Sequence, residues 1–438
     1  MNRPLLIQGG HLIDPSQGID RVAQLLLVDG QIVQVDPIAV PDGTEVFEAA
    51  GKHVVPGLID IGVQLREPGF EEDETIASGT RAALAGGITT IACTPDTDPP
   101  VDTPAGVEFI QHQARRAGWC NVVVLACVSK QREGSQLSEM GTLAEAGAVG
   151  FTDADSPVIS SELMRRALQY SQMFGLPIVD RPESRDLARD GIMHEGYVST
   201  LLGLQGIPAE AEDLIAARDV RLAAATGGTL HLLHVSTSGT VELIRRAKHS
   251  GVAVTASISL ANLLLTDESL RTFSAQFKLN PPLRPESHRL QCLEALVRGD
   301  IDILCSGHAP RAAEKKMNEL DLAPFGAVGV ETLWGLVGAH LVRPGHLSWN
   351  DAVRVLANQP ARLLGLEHKG TLRPGADADV LIFDPTERAQ VVAAEGWSAS
   401  RNTPFDGWDL QGVPHTVLIG GRIKYQRGAA SLPAETVR

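Results

Sequence analysis

The sequence contains few residues of the types that define specialised protein classes. Only 5 of its 438 residues are cysteines, and aromatic residues make up 4%. The cysteines are odd in number, widely spaced and mostly inside apolar runs, which predicts reduced thiols in a core rather than a disulfide framework. The longest uninterrupted apolar run, Val122 to Val128, is far shorter than the ~20 residues that a membrane helix needs. The composition therefore excludes a disulfide-rich scaffold and a transmembrane protein.

Positive charge is also scarce. Lysine and arginine number 38 against 53 aspartates and glutamates, which gives a formal net charge of −15. Because nucleic acids and anionic membrane surfaces attract basic proteins, we expect neither as a partner. The first ten residues lack the apolar segment and the small-residue cleavage site of a secretion signal. These features predict a soluble, cytoplasmic protein.

Short runs rich in Val, Ile and Leu alternate with helical stretches through the middle of the chain. This alternation is typical of repeated β/α units, whose parallel strands can close into a barrel with its active site at their carboxyl ends. The eight predicted barrel strands are Gly57 to Leu65, Ile88 to Thr94, Val122 to Val128, Ala148 to Thr152, Pro177 to Asp180, Thr229 to Val235, Val252 to Ile258 and Ile301 to Ser306. The predicted helices include Glu74 to Ala85, Ser160 to Phe174, Glu210 to Thr226, Thr240 to Ser250 and Ser287 to Arg298.

Short β-like runs and Gly-containing turns occur at both ends of the chain. These runs are Leu5 to Gln8, Gln24 to Val28, Gln31 to Val35, Gly370 to Leu372, Val380 to Phe383 and Thr416 to Ile423. The sequence therefore predicts an α/β protein with a (β/α)8 barrel over residues 56–366. A small β-sandwich domain is expected to form from residues 1–55 and 367–438.

Several blocks carry a resemblance to a known family. The stretch from Pro56 to Gly69 reads PGLIDIGVQLREPG, against PGxIDxHxHLRxPG in the dihydroorotases of the amidohydrolase superfamily. Similar blocks follow in order: GGITT at 86–90, GFTD at 150–153, HEG at 194–196, HVST at 234–237, KLNPPLR at 278–284, HAP at 308–310, APFG at 323–326 and NTPF at 402–405. So many blocks in one order are specific, whereas any one alone would be weak. The chain therefore resembles the dihydroorotases over nearly its whole length.

The resemblance implies zinc-dependent hydrolysis of a cyclic amide. In that family, one or two zinc ions lower the pKa of bound water from about 15.7 to about 7, and an aspartate after the eighth strand handles the proton. The six positions that build this site fall here on Gly62, Gln64, Asp153, Arg181, His234 and Gly307. Among them, only Asp153 and His234 match the family pattern, and we expect both to persist as hydrogen-bonding groups.

The other four positions do not supply the family's ligands. Glycine offers no donor, and the amide oxygen of Gln64 is a poor substitute for imidazole. Arg181 would repel a dication by about 8 kcal/mol at roughly 4 Å and an effective dielectric of about 20. We therefore predict that the zinc site is lost and no cofactor is bound, and that Arg181 takes the metal position and pairs with Asp153.

The family's substrate-binding positions fall on Arg66, Asp96, Asn280 and His308. Arg66, Asn280 and His308 match the family, so the pocket could still accept a small anion. Asp96, however, replaces an asparagine that holds the substrate carboxylate, and two carboxylates repel each other.

These substitutions favour a non-catalytic, dihydroorotase-like protein. The resemblance implies that a homodimer of such a chain is a structural and assembly subunit for the catalytic chains of aspartate carbamoyltransferase in pyrimidine biosynthesis. One alternative is an active cyclic-amide hydrolase with a rearranged, mononuclear metal site built from Asp153, His234 and His308, with or without Asp96. Another is a ligand-sensing module that uses the remaining pocket.

Overall fold

A computed structural model of the chain describes residues 3–428. The strands within this range, numbered β1 to β20 in chain order, are Leu5–Asp14, Ile19–Val28, Gln31–Val35, Glu45–Glu48, His53–Pro56, Leu58–Val63, Ile88–Cys93, Asn121–Ala126, Ala148–Phe151, Ile178–Asp180, Met193–His194, Gly206–Ile207, Leu230–Leu232, Val254–Ser259, Ile303–Cys305, Val380–Phe383, Arg388–Gln390, Asp409–Gln411, Pro414–Ile419 and Arg422–Gln426.

The α-helices of the same range are numbered α1 to α14. They are Ile76–Ala85, Pro104–Ala117, Met140–Glu145, Ser161–Ser171, Arg185–Ala188, Tyr197–Leu202, Glu210–Thr226, Ser238–His249, Leu260–Leu264, Glu286–Arg298, Ala313–Lys316, Leu333–Val337, Trp349–Val353 and Gln359–Leu363. Short 3-10 helices span Pro15–Gln17, Lys130–Arg132, Gln172–Phe174, Asp267–Thr272, Ala275–Phe277 and Ala393–Glu395, and π-helical turns span Gly338–Val342 and Arg354–Asn358.

The barrel consists of β6 to β10 and β13 to β15, which pair in parallel in that order. The last strand, β15, also contacts β6, so the sheet is nearly closed. Every residue of β6 and β7 is buried. Strands covered on both faces are expected to be apolar throughout, which explains why continuous apolar runs located them in the sequence. All eight predicted barrel strands are confirmed, with ends that shift by up to three residues.

A second large sheet joins the two ends of the chain. Its strand order is β20-β19-β16-β5-β1-β2-β3, with β4 beside β1, and its core includes Leu25 and Ile382. The predicted strand Gly370 to Leu372 is wrong, because the Leu372 amide donates to Oδ2 of Asp14 at 2.7 Å instead of to a neighbouring strand. The α/β barrel with an additional β domain is therefore confirmed, while the exact domain limits stay a prediction.

Two predictions from composition concern the cysteines and membrane-spanning helices. All five cysteines are buried and free, which confirms that they are packed thiols. Within residues 3–428, no helix combines the length and the apolar character needed to cross a bilayer.

Candidate functional site

A small cavity of about 40 Å³ lies at the carboxyl ends of the barrel strands. Active sites of this fold occur at that end of the barrel. The residues that line it are Gly62, Gln64, Asp155, His234, Ser259, Ala261, Asn262, Leu279, Asn280, Ser306, Gly307, His308, Ala309, Phe325, Gly326, Ala327, Val328, Pro404 and Phe405. The structure thus brings together six of the ten predicted site residues. A larger cavity of about 230 Å³ shares only His308 and Val328 with it.

Two of the lining residues, Gly62 and Gly307, have backbone conformations that favour glycine. Their φ angles are +74° and +65°. A Cβ on Gly62 would lie 3.0 Å from a methyl carbon of Leu233 and 3.3 Å from Nε2 of His234. A Cβ on Gly307 would lie 2.9 Å from the Cβ of Ser259. The backbone at both positions is therefore fitted to glycine, and a larger ligating side chain would require it to shift.

Gln64 links two charged groups, of which Asp155 lines the cavity and Arg66 does not. Its Nε2 donates to Oδ2 of Asp155, and its Oε1 accepts from Nη2 of Arg66. Both polar ends of the amide are used in this way, so Gln64 has a structural role between a carboxylate and a guanidinium. This arrangement leaves the amide oxygen poorly suited to bind a metal ion.

Arg181 directly follows β10 and is buried, with 3% of its side chain exposed. Its Nη2 donates to the carbonyl oxygen of Asp155 at 2.6 Å, its Nη1 donates to Oε2 of Glu183 at 3.0 Å, and its Nε lies 3.6 Å from Oδ1 of Asp155. The predicted pair between Arg181 and Asp153 is therefore wrong. Asp155, two residues further along the same loop, reaches Arg181 in its place.

Asp153 is instead held by the loop after β8. Its Oδ1 accepts from the amides of Val128 and Ser129 at 2.9 and 3.0 Å, and its Oδ2 accepts from Oγ of Ser129 at 2.5 Å. Burial raises the pKa of this carboxyl to about 6, against the lowering effect of the Ser129 hydrogen bonds. Asp153 thus persists as a hydrogen-bonding group, as predicted, and is not among the residues that line the cavity.

His234 lies two residues after β13, in the wall of the cavity. Its Nε2 is buried and has no hydrogen-bond partner, so the expectation that its ring persists as a satisfied hydrogen-bonding group is not met at this atom. Burial lowers the pKa of His234 to about 4, while the negative charge of Asp155 opposes this shift. The imidazole is therefore neutral at pH 7, and it interacts electrostatically with the carboxylate of Asp155.

Asp155 is the main negative charge of the cavity. Burial raises its pKa, but Arg181, Arg66 and His234 together with the hydrogen bond from Gln64 outweigh this effect and lower the pKa below its ordinary value. Its side chain retains 43% exposure. The carboxylate is therefore ionised at neutral pH.

The predicted substrate-binding residues are arranged differently from one another. Nη1 of Arg66 lies 2.8 Å from Oδ2 of Asp96 in a buried ion pair, and neither residue lines the cavity. Oδ1 of Asn280, in contrast, lies in the cavity wall, buried and without a partner. The ring of His308 is fully buried, with Nδ1 accepting from the Gly329 amide at 3.2 Å and Nε2 facing Oε2 of Glu74 at 3.5 Å. Its two ring nitrogens therefore face the protein.

The donor set does not fit the pair of zinc ions that the resemblance implies. Among the described residues, no group of three or more His, Cys, Asp and Glu side chains is placed to hold a metal ion. The ligands of the rearranged site are also dispersed, since Asp153 faces Ser129, Asp96 faces Arg66 and His308 faces Glu74.

Two site residues were missed from the sequence. Asp155 could have been found as the second acidic residue of the Asp153-Ala154-Asp155 triplet, although nothing in that pattern tells which of the two reaches the cavity. Glu74 was predicted only as the first residue of the helix Glu74 to Ala85, but its carboxylate accepts from the Ser398 hydroxyl and from the Ala399 amide at 3.0 Å. These contacts join segments more than 300 residues apart, which no local pattern reveals.

Comparison with known proteins identifies a family that this chain matches. A model described as dihydro-orotase-like matches residues 51–240, and an amidohydrolase family model matches residues 324–425. A putative dihydroorotase of Rhodopirellula baltica is 46% identical over 96% of this chain and 92% of its own length. A dihydroorotase of Pelotomaculum thermopropionicum is 47% identical over 96% of this chain and 98% of its own length.

These relatives overturn the expectation of a non-catalytic protein. Proteins at 42–47% identity that match this chain over almost its full length are named dihydroorotase, so the predicted pseudoenzyme with a purely structural role in an aspartate carbamoyltransferase complex is wrong. The prediction of no cofactor is also wrong, because it followed from the expectation of an inactive protein, and this chain matches an amidohydrolase family model and a solved hydantoinase. The homodimer, contact with carbamoyltransferase chains, the lack of nucleic-acid and membrane partners, and the cytoplasmic location stay predictions.

Solved structures agree with the family match. The L-hydantoinase (dihydropyrimidinase) of Arthrobacter aurescens superimposes with a TM-score of 0.88 at 26% identity, covering 99% of this chain and 98% of that one. A D-hydantoinase of Thermus sp., at 23% identity and a TM-score of 0.82, shares the fold over 98% of this chain and 97% of its own. The chain therefore belongs to the dihydroorotase-like family of the amidohydrolases.

Proposed function

We propose that this protein is a cyclic-amide hydrolase that opens a dihydropyrimidine-type or hydantoin-type ring. The observation that carries the proposal is the unpartnered Nε2 of His234, which lies in the wall of the cavity beside the ionised Asp155. Buried polar atoms are normally hydrogen-bonded, so one without a partner in a cavity points to a ligand or a water molecule. The names of the relatives, dihydroorotase and hydantoinase, support a ring with an amide bond as that ligand.

The proposed roles follow from the chemistry of these side chains. A neutral imidazole can accept a proton from water, and the carboxylate of Asp155 stabilises the imidazolium that forms. The oxygen of that water bonds to the ring carbonyl carbon, the carbon–nitrogen bond breaks, and the proton passes from His234 to the leaving nitrogen. Oδ1 of Asn280 is a free acceptor for a ring N–H group. No step is assigned to a metal ion, because the donor set does not fit the family's zinc pair.

Space limits how the ring enters. A cavity of about 40 Å³ accommodates little more than water, whose share of liquid volume is about 30 Å³. The side chains of Phe325 and Phe405 belong to its lining. A substrate ring must therefore displace part of this cover when it binds.

The test is ring opening by the purified full-length chain. Dihydroorotate, dihydrouracil and hydantoin are each incubated with the protein, with and without a chelator and with and without added zinc, and the ring-opened products are separated by chromatography. We expect turnover of at least one ring above a heat-denatured control. Absence of turnover for all three rings under all conditions, with a folded protein, would refute the proposal.

A further inference from the structure

Arg66 is already paired inside the protein. Its Nη1 lies 2.8 Å from Oδ2 of Asp96, with 5% and 7% of the two side chains exposed, and its Nη2 donates to Oε1 of Gln64. Oδ1 of Asp96 in turn accepts from the Thr94 hydroxyl at 2.5 Å. The carboxylate of Asp96 thus takes the place beside Arg66 that a carboxylate of a ligand would need, and Arg66 is not part of the cavity wall.

Other cations near the cavity are engaged as well. Arg181 contacts Asp155 and Glu183, and the next cation after the lining residue Ala309 is Arg311. Its Nη1 lies 3.6 Å from Oδ2 of Asp73, and its Nε donates to the Phe325 carbonyl at 2.8 Å. The charged group that does line the cavity is the carboxylate of Asp155. Lys278, beside the lining residue Leu279, donates its Nζ to the carbonyls of Leu320 and Asp321 at 2.8 and 2.9 Å. An anionic ligand would therefore meet the negative charge of Asp155, while Arg66, Arg181, Lys278 and Arg311 already have partners in the part of the chain that the structure describes.

Neutral polar groups are better matched to the cavity. Oδ1 of Asn280 and Nε2 of His234 are both buried without a partner and belong to residues of its wall. An amide ring presents N–H donors and carbonyl acceptors without a net charge, so it can use these atoms without displacing an ion pair. Buried polar atoms left unpaired by the wrong ligand are a strong source of discrimination.

We infer that this pocket selects a neutral cyclic amide without a carboxylate, and that Asp96 sets this selectivity by holding Arg66. Asp96 is a positioning residue in this account, because it acts through Arg66. The inference rests on the proposed function for the location of the ligand, but it concerns binding and does not require turnover.

A matched pair of ligands tests the inference. Dihydrouracil and dihydroorotate share one ring and differ by the carboxylate. Their dissociation constants are measured by calorimetry for the wild-type chain, for Asp96→Asn and for the control Asp98→Asn, which makes the same change at an exposed position two residues away. We expect the wild type to bind dihydrouracil at least about tenfold more tightly, because dihydroorotate must lose the hydration of its carboxylate beside Asp155 without gaining a charge-assisted hydrogen bond, which is worth about that factor or more.

The variants separate the cause from a general effect. Asp96→Asn releases Arg66 and should improve dihydroorotate binding by about tenfold with little change for dihydrouracil, while Asp98→Asn should change neither. Equal or tighter binding of dihydroorotate by the wild type, binding of neither ring, or an unchanged preference in a folded Asp96→Asn variant would overturn the inference. If that variant does not fold, the wild-type comparison decides alone. If the wild type prefers dihydroorotate and hydrolyses it, this inference is refuted but the proposed function stands. If the wild type prefers dihydrouracil but hydrolyses none of the rings, the proposed function is refuted but this inference stands.

Discussion

Nε of Arg181 lies 3.6 Å from Oδ1 of Asp155, and a terminal nitrogen of the same guanidinium donates to the Asp155 carbonyl at 2.6 Å. The guanidinium of Arg181, at the end of β10, thus holds the loop that follows β9. Glu183 shares the charge of Arg181 on the other side at 3.0 Å. The geometry of the cavity therefore depends on this three-residue cluster.

The first prediction concerns the stability that Arg181 provides. Arg181→Ala should lower the free energy of unfolding by about 3 kcal/mol, the lower end of the range for breaking a buried ion pair, because Asp155 retains partial exposure. Urea denaturation measures the change. The control Arg165→Ala removes an exposed arginine that pairs with Glu162 at 2.9 Å, and it should cost less than about 1 kcal/mol. Equal effects of the two variants would contradict the assigned role.

The second prediction concerns the space in front of His234. Gly62→Ala should destabilise the protein by more than about 1 kcal/mol, since an L-residue in the left-handed region costs roughly that amount and its Cβ would also press on Leu233 at 3.0 Å. Gly18→Ala is the matched control, because Gly18 has a φ of +64° and nothing within 4 Å of an added Cβ. The difference between the losses of unfolding free energy in Gly62→Ala and Gly18→Ala measures the cost of the contact with Leu233. Equal losses in the two variants would show that a Cβ at position 62 is accommodated without a clash.

The barrel could be predicted from the sequence because its strands are buried on both faces. Runs such as Ile88 to Thr94 carry a continuous apolar signal, and α7 has the predicted limits of Glu210 and Thr226 because Gly227 ends it with a φ of +76°. The strand Gly370 to Leu372 failed because the bonds of that segment go to the side chain of Asp14, and local patterns do not show such a partner.

The candidate site was predictable only in part. Positions at strand ends, such as Gly62 and His234, follow from the order of the strands and do line the cavity. Which carboxylate meets Arg181 depends on the path of the loop after β9, so Asp153 was chosen in place of Asp155. Gly62 and Gly307 replace a metal ligand and the catalytic aspartate of the family pattern, and loss of activity was predicted from such replacements. That prediction failed, because relatives that match nearly the whole chain are named as enzymes.

The third prediction concerns Glu331 and pH. Burial raises the pKa of Glu331 to about 7, although its Oε2 accepts from the Trp397 amide at 2.7 Å. The folded state then binds more protons than the unfolded state between pH 4.5 and about 7, so the stability that this group provides is complete below pH 4.5 and is lost as pH rises through 7.

Glu331→Gln keeps an acceptor for Trp397 and removes the titration. Relative to the wild type, the variant should gain about 2 to 3 kcal/mol in unfolding free energy between pH 5 and pH 8. Denaturation at the two pH values measures this gain, and the exposed Glu395→Gln serves as the control. A constant difference between wild type and Glu331→Gln across this range would show that Glu331 does not titrate there.

The last prediction concerns the role of the unpartnered His234 imidazole in activity, and it rests on the proposed function. His234→Gln keeps a polar side chain of similar length but removes the basic imidazole, so it should lower kcat/KM for the preferred ring by about 100- to 10,000-fold, the usual contribution of a general base. The fold should tolerate the change, because Nε2 of His234 has no partner to lose. The matched control is His249→Gln at the exposed end of α8, which should retain wild-type kinetics. Rates are measured by product chromatography, with circular dichroism to confirm folding. A folded His234→Gln variant with near wild-type kcat/KM would exclude His234 as the base and direct attention to Asp155, whose carboxylate also lines the cavity.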